Sequence, residues 1–183
     1  MLGKTIKIIA VISSAFIFLT GCNSEKEVRE RAFVQAAAVC ENQDKSISVA
    51  VRIFEDEKTY TGTGKNFFEA VSDAQLKQKK HFFAGHMEFI ISSAENNKNL
   101  LEEIMRENKI SPSCTFIYSP DACETIKNID CDEFYGIISI RSENGMAYKK
   151  SILTALKELT DNNSCETDGI LESGEIFPVQ LQS

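Results

Sequence analysis

Residues 64–93 read GKNFFEAVSDAQLKQKKHFFAGHMEFIISS, and their apolar pattern changes from helical to extended partway through. One set of side chains recurs at the three- and four-residue spacing of a helix face: Phe67, Phe68, Val71, Ala74 and Gln78. Asn66 can cap this helix, and Glu69 three residues later completes a capping-box pattern. Residues 87–91 are an apolar run interrupted once, which is typical of a central strand covered on both faces. The segment therefore predicts a helix that packs on a sheet and leads into a central strand.

Two strands are predicted before this helix. Residues 47–53 alternate between branched apolar side chains and Ser48, Ala50 and Arg52, a pattern typical of a half-buried strand. Residues 32–40 are ambiguous, because their three alanines favour a helix whereas a short apolar run suits a buried strand. We choose a strand, because the polar turn at 41–45 would join the two segments into a hairpin. A strand, a helix and a strand in this order imply a right-handed crossover.

The rest of the chain continues the alternation of helices and strands. The predicted elements are a helix at 99–108, a strand at 114–118, a short helix from 119 to about 127, a helix at 151–159 and a closing hairpin within 170–179. Residues 130–143 fit a helical stripe about as well as a short strand. Pro178 favours an edge position for the last strand. The predicted fold is single-domain α/β: a mixed β-sheet with an N-terminal hairpin, crossover helices and a C-terminal hairpin.

The N-terminus has the parts of a secretory signal. Lys4 and Lys7 precede an apolar run at 8–19, which is shorter than the about 20 residues that a transmembrane helix needs. Leu19-Thr20-Gly21-Cys22 follows and resembles the lipobox of bacterial lipoproteins, in which the cysteine is acylated and begins the mature protein. The predicted organisation is a lipoprotein signal peptide at 1–21, lipidation at Cys22, a charged spacer at 22–31 and a folded domain at 32–183. The alternatives are a plain signal peptide with an incidental cysteine and an uncleaved anchor.

The charge of the mature chain argues against two classes of partner. Removal of residues 1–21 leaves 18 basic and 27 acidic residues, a net charge of −9. Nucleic acid and anionic lipid headgroups repel a chain of this charge. We therefore expect contact with the bilayer through the lipid on Cys22, at the extracytoplasmic face, since two acyl chains suffice for stable anchoring.

The cysteines do not form a recognisable framework. Besides Cys22 there are five, an odd number, and the sequence has no C-x-x-C motif, so neither a set of disulfides nor a zinc site is indicated. Most of the five are expected to be reduced or buried, since free cysteine packs as a small apolar residue. One bridge within the group Cys114, Cys123 and Cys131 stays open.

We predict no catalytic, cofactor-binding or metal site. Residues 62–64, Gly-Thr-Gly, are expected to form a turn. Together with Lys65 they lack the first half of a P-loop and its final Ser or Thr. No serine lies in a Gly-x-Ser-x-Gly elbow. His81 and His86 are too few to bind a metal alone, and His86 is expected to be a hydrogen-bonded structural residue rather than a catalyst.

Several segments together resemble the N-terminal domain of the Ger(x)C lipoproteins, the lipid-anchored subunits of spore germinant receptors. The segment at 64–93 is the most specific: a Gly-x-x-x-x-Glu-Ala helix runs through lysines into Phe-Phe-Ala-Gly-His and an apolar strand. The other segments that carry the resemblance are Leu19-Thr20-Gly21-Cys22, Arg31-Ala32-Phe33-Val34, Ser151-Ile152-Leu153 and Glu175-Ile176-Phe177-Pro178-Val179. Family members usually have Trp-Asp after the lipid cysteine, where Asn23-Ser24 stands here, and usually continue into a second domain. We therefore expect a divergent, shortened relative.

The resemblance implies a non-enzymatic function. It implies a subunit that binds polytopic germinant-receptor subunits at the spore inner membrane and acts in nutrient-triggered germination. Leu76 and Tyr148 are apolar side chains that the pattern does not place in the core, which makes them candidates for that contact. The alternatives are a free-standing ligand-binding envelope lipoprotein and an envelope enzyme.

Overall fold

The computed structural model describes residues 30–54, 56–94, 96–106 and 109–183. Its elements follow one another as β1 (Arg31–Glu41), β2 (Ile47–Ile53), β3 (Asp56–Gly64), α1 (Phe67–Gln78), β4 (His81–Phe83), β5 (Phe89–Ser92), α2 (Asn97–Arg106), β6 (Thr115–Tyr118), α3 (Ala122–Asn128), α4 (Cys131–Glu143), α5 (Ile152–Asp161), β7 (Ser164–Ile170) and β8 (Ile176–Gln182). Arg31–Ser183 forms one compact unit. The predicted signal peptide, the lipidated Cys22 and nearly all of the spacer lie outside the described residues.

The eight strands form one mixed sheet. Its order is β3-β2-β1-β5-β6-β7-β8, and β4 also pairs with β1. The contacts from β1 through β5 and β6 to β7 are parallel, whereas β1–β2, β2–β3 and β7–β8 are antiparallel. The N-terminal hairpin, the crossover helices and the C-terminal hairpin are therefore confirmed, and β8 with Pro178 is an edge strand as predicted.

Helices cover both faces of the sheet. Alternate residues of a strand point to opposite faces, and in β5 Ile90 belongs to one buried cluster while Phe89 and Ile91 belong to the other. The first cluster includes Phe67, Leu101, Ile104, Ile152 and Leu159 from α1, α2 and α5. The second includes Ile126, Phe134 and Ile138 from α3 and α4. The parallel strands thus lie between two helical layers, as their continuous apolar runs predict.

The alanine-rich segment is β1, a strand as predicted. Its register against β2 shifts between Val34 and Ala36, which is a β-bulge at Gln35. Beyond the bulge, Ala37 and Val39 enter the first cluster while Ala36 and Ala38 enter the second. All four are at most 3% exposed. Alanine is used here because it fills a strand that is buried on both faces, not because it favours a helix.

The ambiguous segment 130–143 is helix α4. Its start is capped by Asp130, whose side chain accepts a hydrogen bond from the Glu133 amide at 3.0 Å. Phe134 packs edge-to-face on Phe89 of β5, with ring centroids 5.1 Å apart. Burial of this face on the sheet selects the helical interpretation, since short strands could not place Cys131, Phe134 and Ile138 on one side.

The two glycines before α1 lie within β3 and not in a turn. A Cβ atom on Gly62 would collide with the Ala70 carbonyl oxygen, and one on Gly64 would collide with the Ala70 amide. Their role is to let β3 approach α1 closely. The predicted cap of α1 is confirmed: Asn66 Oδ1 accepts from the Glu69 amide at 2.9 Å, while the Glu69 carboxylate accepts from the Lys65 amide at 2.9 Å.

Candidate functional site

A cavity with a volume of about 580 Å³ lies beside α1, at the Phe-Phe-Ala-Gly-His segment. Its walls are largely apolar and are provided by β1, β2, α1, the segment 81–87 and Ile110. Small-molecule sites are usually concavities of about 300–1,000 Å³ with apolar walls and a few polar groups. The cavity therefore has the size and the wall chemistry of a binding site.

The local sequence explains why the segment 81–87 leaves space. β4 pairs with the start of β1, in the register Arg31↔His81 to Phe33↔Phe83, and β5 pairs with β1 only from Ala36 onwards. The chain leaves the sheet between these two pairings and returns through Met87, which is buried. The Phe83 ring is held by an edge-to-face contact with Phe33 at 5.5 Å and by the Arg31 guanidinium at 5.6 Å. This interruption of the strand forms one wall of the cavity.

A Cβ atom on Gly85 would lie 2.9 Å from the end of the Phe83 ring, so a larger residue here would require this ring to move. His86 is exposed, and its ring lies 5.6 Å from that of Phe83. This aromatic contact is the interaction that the structure shows for His86, and its role as a structural residue rather than a catalyst stays a prediction.

Polar groups of the cavity lining lie at two positions along α1, at Gln75 and beside Phe68. Gln75 of α1 joins two of them, since its Oε1 accepts from the Phe82 amide at 2.9 Å and its Nε2 lies 3.3 Å from His81 Nδ1. The ammonium of Lys109 lies 5.5 Å from the centre of the Phe68 ring. Ser72 completes the polar lining. The described lining residues include two basic side chains, His81 and Lys109, and none that is acidic.

A second group of polar side chains lies where β1 and β5 meet α4. Gln35, 5% exposed, donates through Nε2 to Glu88 at 3.2 Å and also to Asp132. Burial raises the pKa of the Glu88 carboxyl, and the neighbouring Asp132 charge raises it further, while Gln35 and Lys149 oppose the shift. Gln35 lies at the register shift of β1, between Val34 and Ala36. This group joins the sheet to α4 through hydrogen bonds.

The carboxyl ends of the parallel strands, the usual ligand site of open α/β sheets, are filled with paired polar groups. Ser92 Oγ and Asn97 Oδ1 are 2.7 Å apart, and Ser119 Oγ and Thr125 Oγ1 are 2.9 Å apart, all of them buried. Beside them a disulfide joins Cys40 at the end of β1 to Cys123 of α3. These groups bind one another, which leaves the cavity beside α1 as the better candidate for a ligand.

The disulfide corrects the expectation about the cysteines. Cys123 is bridged, but its partner is Cys40 and not another member of the group Cys114, Cys123 and Cys131. Cys114, Cys131 and Cys165 are free and buried, as expected for most of the set. Burial raises the pKa of each thiol, to about 11 for Cys131 and for Cys165. Thiols of this kind are poor nucleophiles at neutral pH.

Four exposed apolar side chains lie on α4 and in the loop that follows it. Ile137 and Ile140 lie three residues apart on one helical face, and Met146 and Tyr148 follow. Between 42% and 61% of each of these side chains is exposed. We call these four residues the α4 patch. Leu76, on α1, is 76% exposed, so both residues that the sequence left outside the core are accessible.

No helix in the described part of the chain has the length and hydropathy needed to cross a bilayer. No group of three or more His, Cys, Asp or Glu side chains within the same residues is placed to hold a metal ion.

The comparisons with known proteins give one match. A family model described as "Spore germination protein N-terminal domain" matches residues 24–167, which is more than three quarters of the chain. It includes β1 to α5 and the first part of β7, and thus both the cavity and the α4 patch. No curated protein and no solved structure matches the chain.

Proposed function

Because the chain belongs to the family defined by the spore germination protein N-terminal domain, and so has a role in spore germination, we propose that it is a membrane-anchored subunit of a germinant receptor. In this proposal an acyl group on Cys22 holds the protein at the outer face of the spore inner membrane. The folded unit then binds polytopic receptor subunits and catalyses no reaction. The observation that carries the proposal is the family match over residues 24–167.

The anchor is supported by the sequence Leu19-Thr20-Gly21-Cys22 and by the position of the folded unit. β1 starts at Arg31, nine residues after Cys22, so the fold can lie close to the bilayer. A tether confines the subunit and its partner to one surface, which raises their effective concentration and makes a weak contact sufficient. The spacer 22–31 is proposed to set this distance.

The α4 patch supports the proposed contact with a partner. Isolated exposed apolar residues are ordinary, whereas these four lie within the short segment 137–148. Ile137 and Ile140 belong to α4, which packs on the opposite face of the sheet from α1 and the cavity. A partner bound at the patch would therefore leave the cavity accessible.

Deletion of the gene tests the proposed role. The expected result is spores that respond slowly or not at all to nutrients, but germinate normally with agents that bypass the nutrient receptors. A tagged copy is expected to co-purify with polytopic membrane proteins from spore membranes. Normal nutrient germination without a recovered partner would contradict the receptor role.

The α4 patch can be tested in the same spores. Ile140→Glu is expected to abolish co-purification while the protein stays in the membrane fraction. Leu153→Glu is a matched control, because Leu153 is 53% exposed on α5, away from the patch. Equal recovery of the partner with both variants would exclude the patch as the contact.

A free-standing ligand-binding lipoprotein is the second candidate function, and the cavity is the observation that favours it. The two candidates differ in the deletion experiment. A free-standing lipoprotein predicts normal nutrient germination and no polytopic partner, together with ligand binding by the isolated protein.

A further inference from the structure

We propose that the cavity beside α1 binds a monoanionic amphiphile, a carboxylate with an unbranched or compact apolar body such as a medium-chain fatty acid. This inference does not depend on the receptor role. It rests on the volume of the cavity, the chemistry of its walls and the sign of the charge at its polar part.

The walls select an apolar body. Val34, Ala37, Val51, Phe67 and Met87 are buried core residues that also line the cavity. Each square ångström of apolar surface that a ligand removes from water there contributes roughly 25 cal/mol. The polar atoms near these walls are already paired, since the Phe82 amide donates to Gln75. A polar or multiply charged ligand body would lose its hydration without new hydrogen bonds.

The polar part selects a negative headgroup. The chain carries a net charge of −7, yet the described residues that line the cavity include Lys109 and His81 and no acid. Contact with the Phe68 ring, a cation–π interaction, holds the Lys109 ammonium beside the cavity. A carboxylate at this position would gain a charge-assisted hydrogen bond, whereas a cationic headgroup would be repelled. Charge complementarity therefore distinguishes an acid from an amine with the same chain.

The proposed headgroup site at Lys109 is close to the surface, because Lys109 is exposed. An apolar chain inside and a charged group at the surface is the arrangement that amphiphilic ligands require. The half-buried residues Val71 and Phe68, together with Ser72, place one side of α1 along the cavity. Substitutions on this side of the helix can fill the cavity without changing any residue of the sheet.

The experiment is a titration of the chain from residue 23 to 183, which keeps the whole unit Arg31–Ser183 and lacks both the signal peptide and an acyl group at Cys22. Dodecanoate, dodecanol and dodecyltrimethylammonium are titrated below their aggregation concentrations and followed by calorimetry and by amide chemical shifts. The expected result is saturable binding of one dodecanoate, weaker binding of dodecanol, and no binding of the cation. The shifts should appear in α1, β4 and the segment 84–87.

Two variants test the two parts of the site. Lys109→Gln is expected to weaken dodecanoate binding about fivefold, as for one partly exposed ion pair, and to leave dodecanol binding unchanged. Lys157→Gln is its control, because Lys157 is an exposed residue of α5. Val71→Phe is expected to weaken both ligands at least about tenfold by filling the cavity, whereas Leu76→Phe on the exposed side of α1 does not. Thermal melting of each variant verifies folding.

Three results would overturn the proposal: no saturable binding of dodecanoate to the unsubstituted chain, equal binding of the cationic amphiphile, or unchanged binding in the folded Lys109→Gln variant. Lys109→Gln changes a surface side chain, so the test does not depend on the stability of the Val71→Phe variant. None of these results bears on the germination phenotype of the deletion. Failure of the ligand site and failure of the receptor role are thus separate outcomes.

Discussion

At the residue scale, two glycines of the same chain predict opposite responses to alanine. A Cβ at position 62 would overlap backbone atoms of Ala70 and Ala74 in α1. Gly62→Ala must therefore separate β3 from α1, and we expect a loss of at least about 2 kcal/mol in the free energy of unfolding. The measurement is a urea titration of the chain 23–183.

Gly136 is the matched control within α4. A Cβ there meets no atom within 4 Å, and alanine is the better helix former. Gly136→Ala should raise the free energy of unfolding by about 0.5–1 kcal/mol. If Gly62→Ala is as stable as the unsubstituted chain, β3 and α1 are not as close as described.

The Glu88 carboxyl predicts a pH dependence of stability. Its pKa is raised above the ordinary value of 4.5, first by burial and then by the Asp132 charge. Between the ordinary and the raised pKa the folded state holds more protons than the unfolded state, so stability falls as pH rises through that window. Glu88→Gln keeps an acceptor for Gln35 and removes the titration. We expect the fall in stability to become smaller in this variant.

Urea titrations from about pH 4 to about pH 7 measure this effect. Glu102→Gln serves as the control, because Glu102 is exposed on α2 and the substitution removes one carboxyl outside the buried group around Gln35. A profile of Glu88→Gln identical to that of the unsubstituted chain would show that Glu88 titrates as it does in the unfolded state.

Residue-level sequence reasoning finds local features and misses distant ones. The Asn66 cap of α1 is predicted because Asn66 and Glu69 are three residues apart. The cavity is not, since Val34, Val71 and Ile110 come together only through the sheet order. The signal that could have pointed to it is the break between Phe83 and Met87 in an apolar run, with glycine inside.

At the element scale, the Cys40–Cys123 disulfide ties β1 to α3 across 83 residues of sequence. A bridge that closes so long a loop restricts the unfolded chain, and bridges of this kind typically contribute about 2–4 kcal/mol. The double variant Cys40→Ser, Cys123→Ser should lose about this amount. Reductant should destabilise the unsubstituted chain equally and leave the double variant unaffected.

Thiol labelling supplies the control for this prediction. Cys114, Cys131 and Cys165 are buried with raised pKa values, so the native chain 23–183 should react little with iodoacetamide. The same chain denatured without reductant should take up three labels, one at each free cysteine. Five labels would mean that Cys40 and Cys123 are not bridged.

The elements themselves differ in how far the sequence predicts them. α1 and β2 are clear from the apolar spacing alone. The prediction of β1 depended on the following strand β2, because the alanines at 36–38 suit a helix and a doubly buried strand equally well. The sequence alone could not assign α4. Phe134 and Ile138 fit a helical spacing, whereas Tyr135 and Ile137 also allow the alternating pattern of a strand. Its packing against Phe89, 45 positions earlier, decides the matter.

At the scale of the whole molecule, the fold separates three kinds of surface. The cavity belongs to the layer of α1, α2 and α5, the α4 patch to the opposite layer, and the paired polar groups to the carboxyl edge of the sheet. A lipid anchor at Cys22 would confine all three to the neighbourhood of a bilayer. The family match spans both helical layers.

Loss of the proposed lipid anchor should move the protein from the membrane fraction to the soluble fraction. Cys22→Ala removes the thiol that is proposed to be acylated, so cells fed labelled palmitate should show no label on this protein. The folded unit begins at Arg31, nine residues after position 22, and its thermal melting should be unchanged. The variant should therefore appear in the soluble fraction, or accumulate as uncleaved precursor.

The matched control is the double variant Cys40→Ser, Cys123→Ser, which removes two other cysteines and leaves Cys22 in place. Because these two lie at the end of β1 and on α3, within the folded unit, the label and the membrane location should persist. Label on the Cys22→Ala protein would instead mean that another cysteine carries the lipid. Membrane retention without label would favour an uncleaved N-terminal anchor, since the apolar run at 8–19 would then be the part that binds the bilayer.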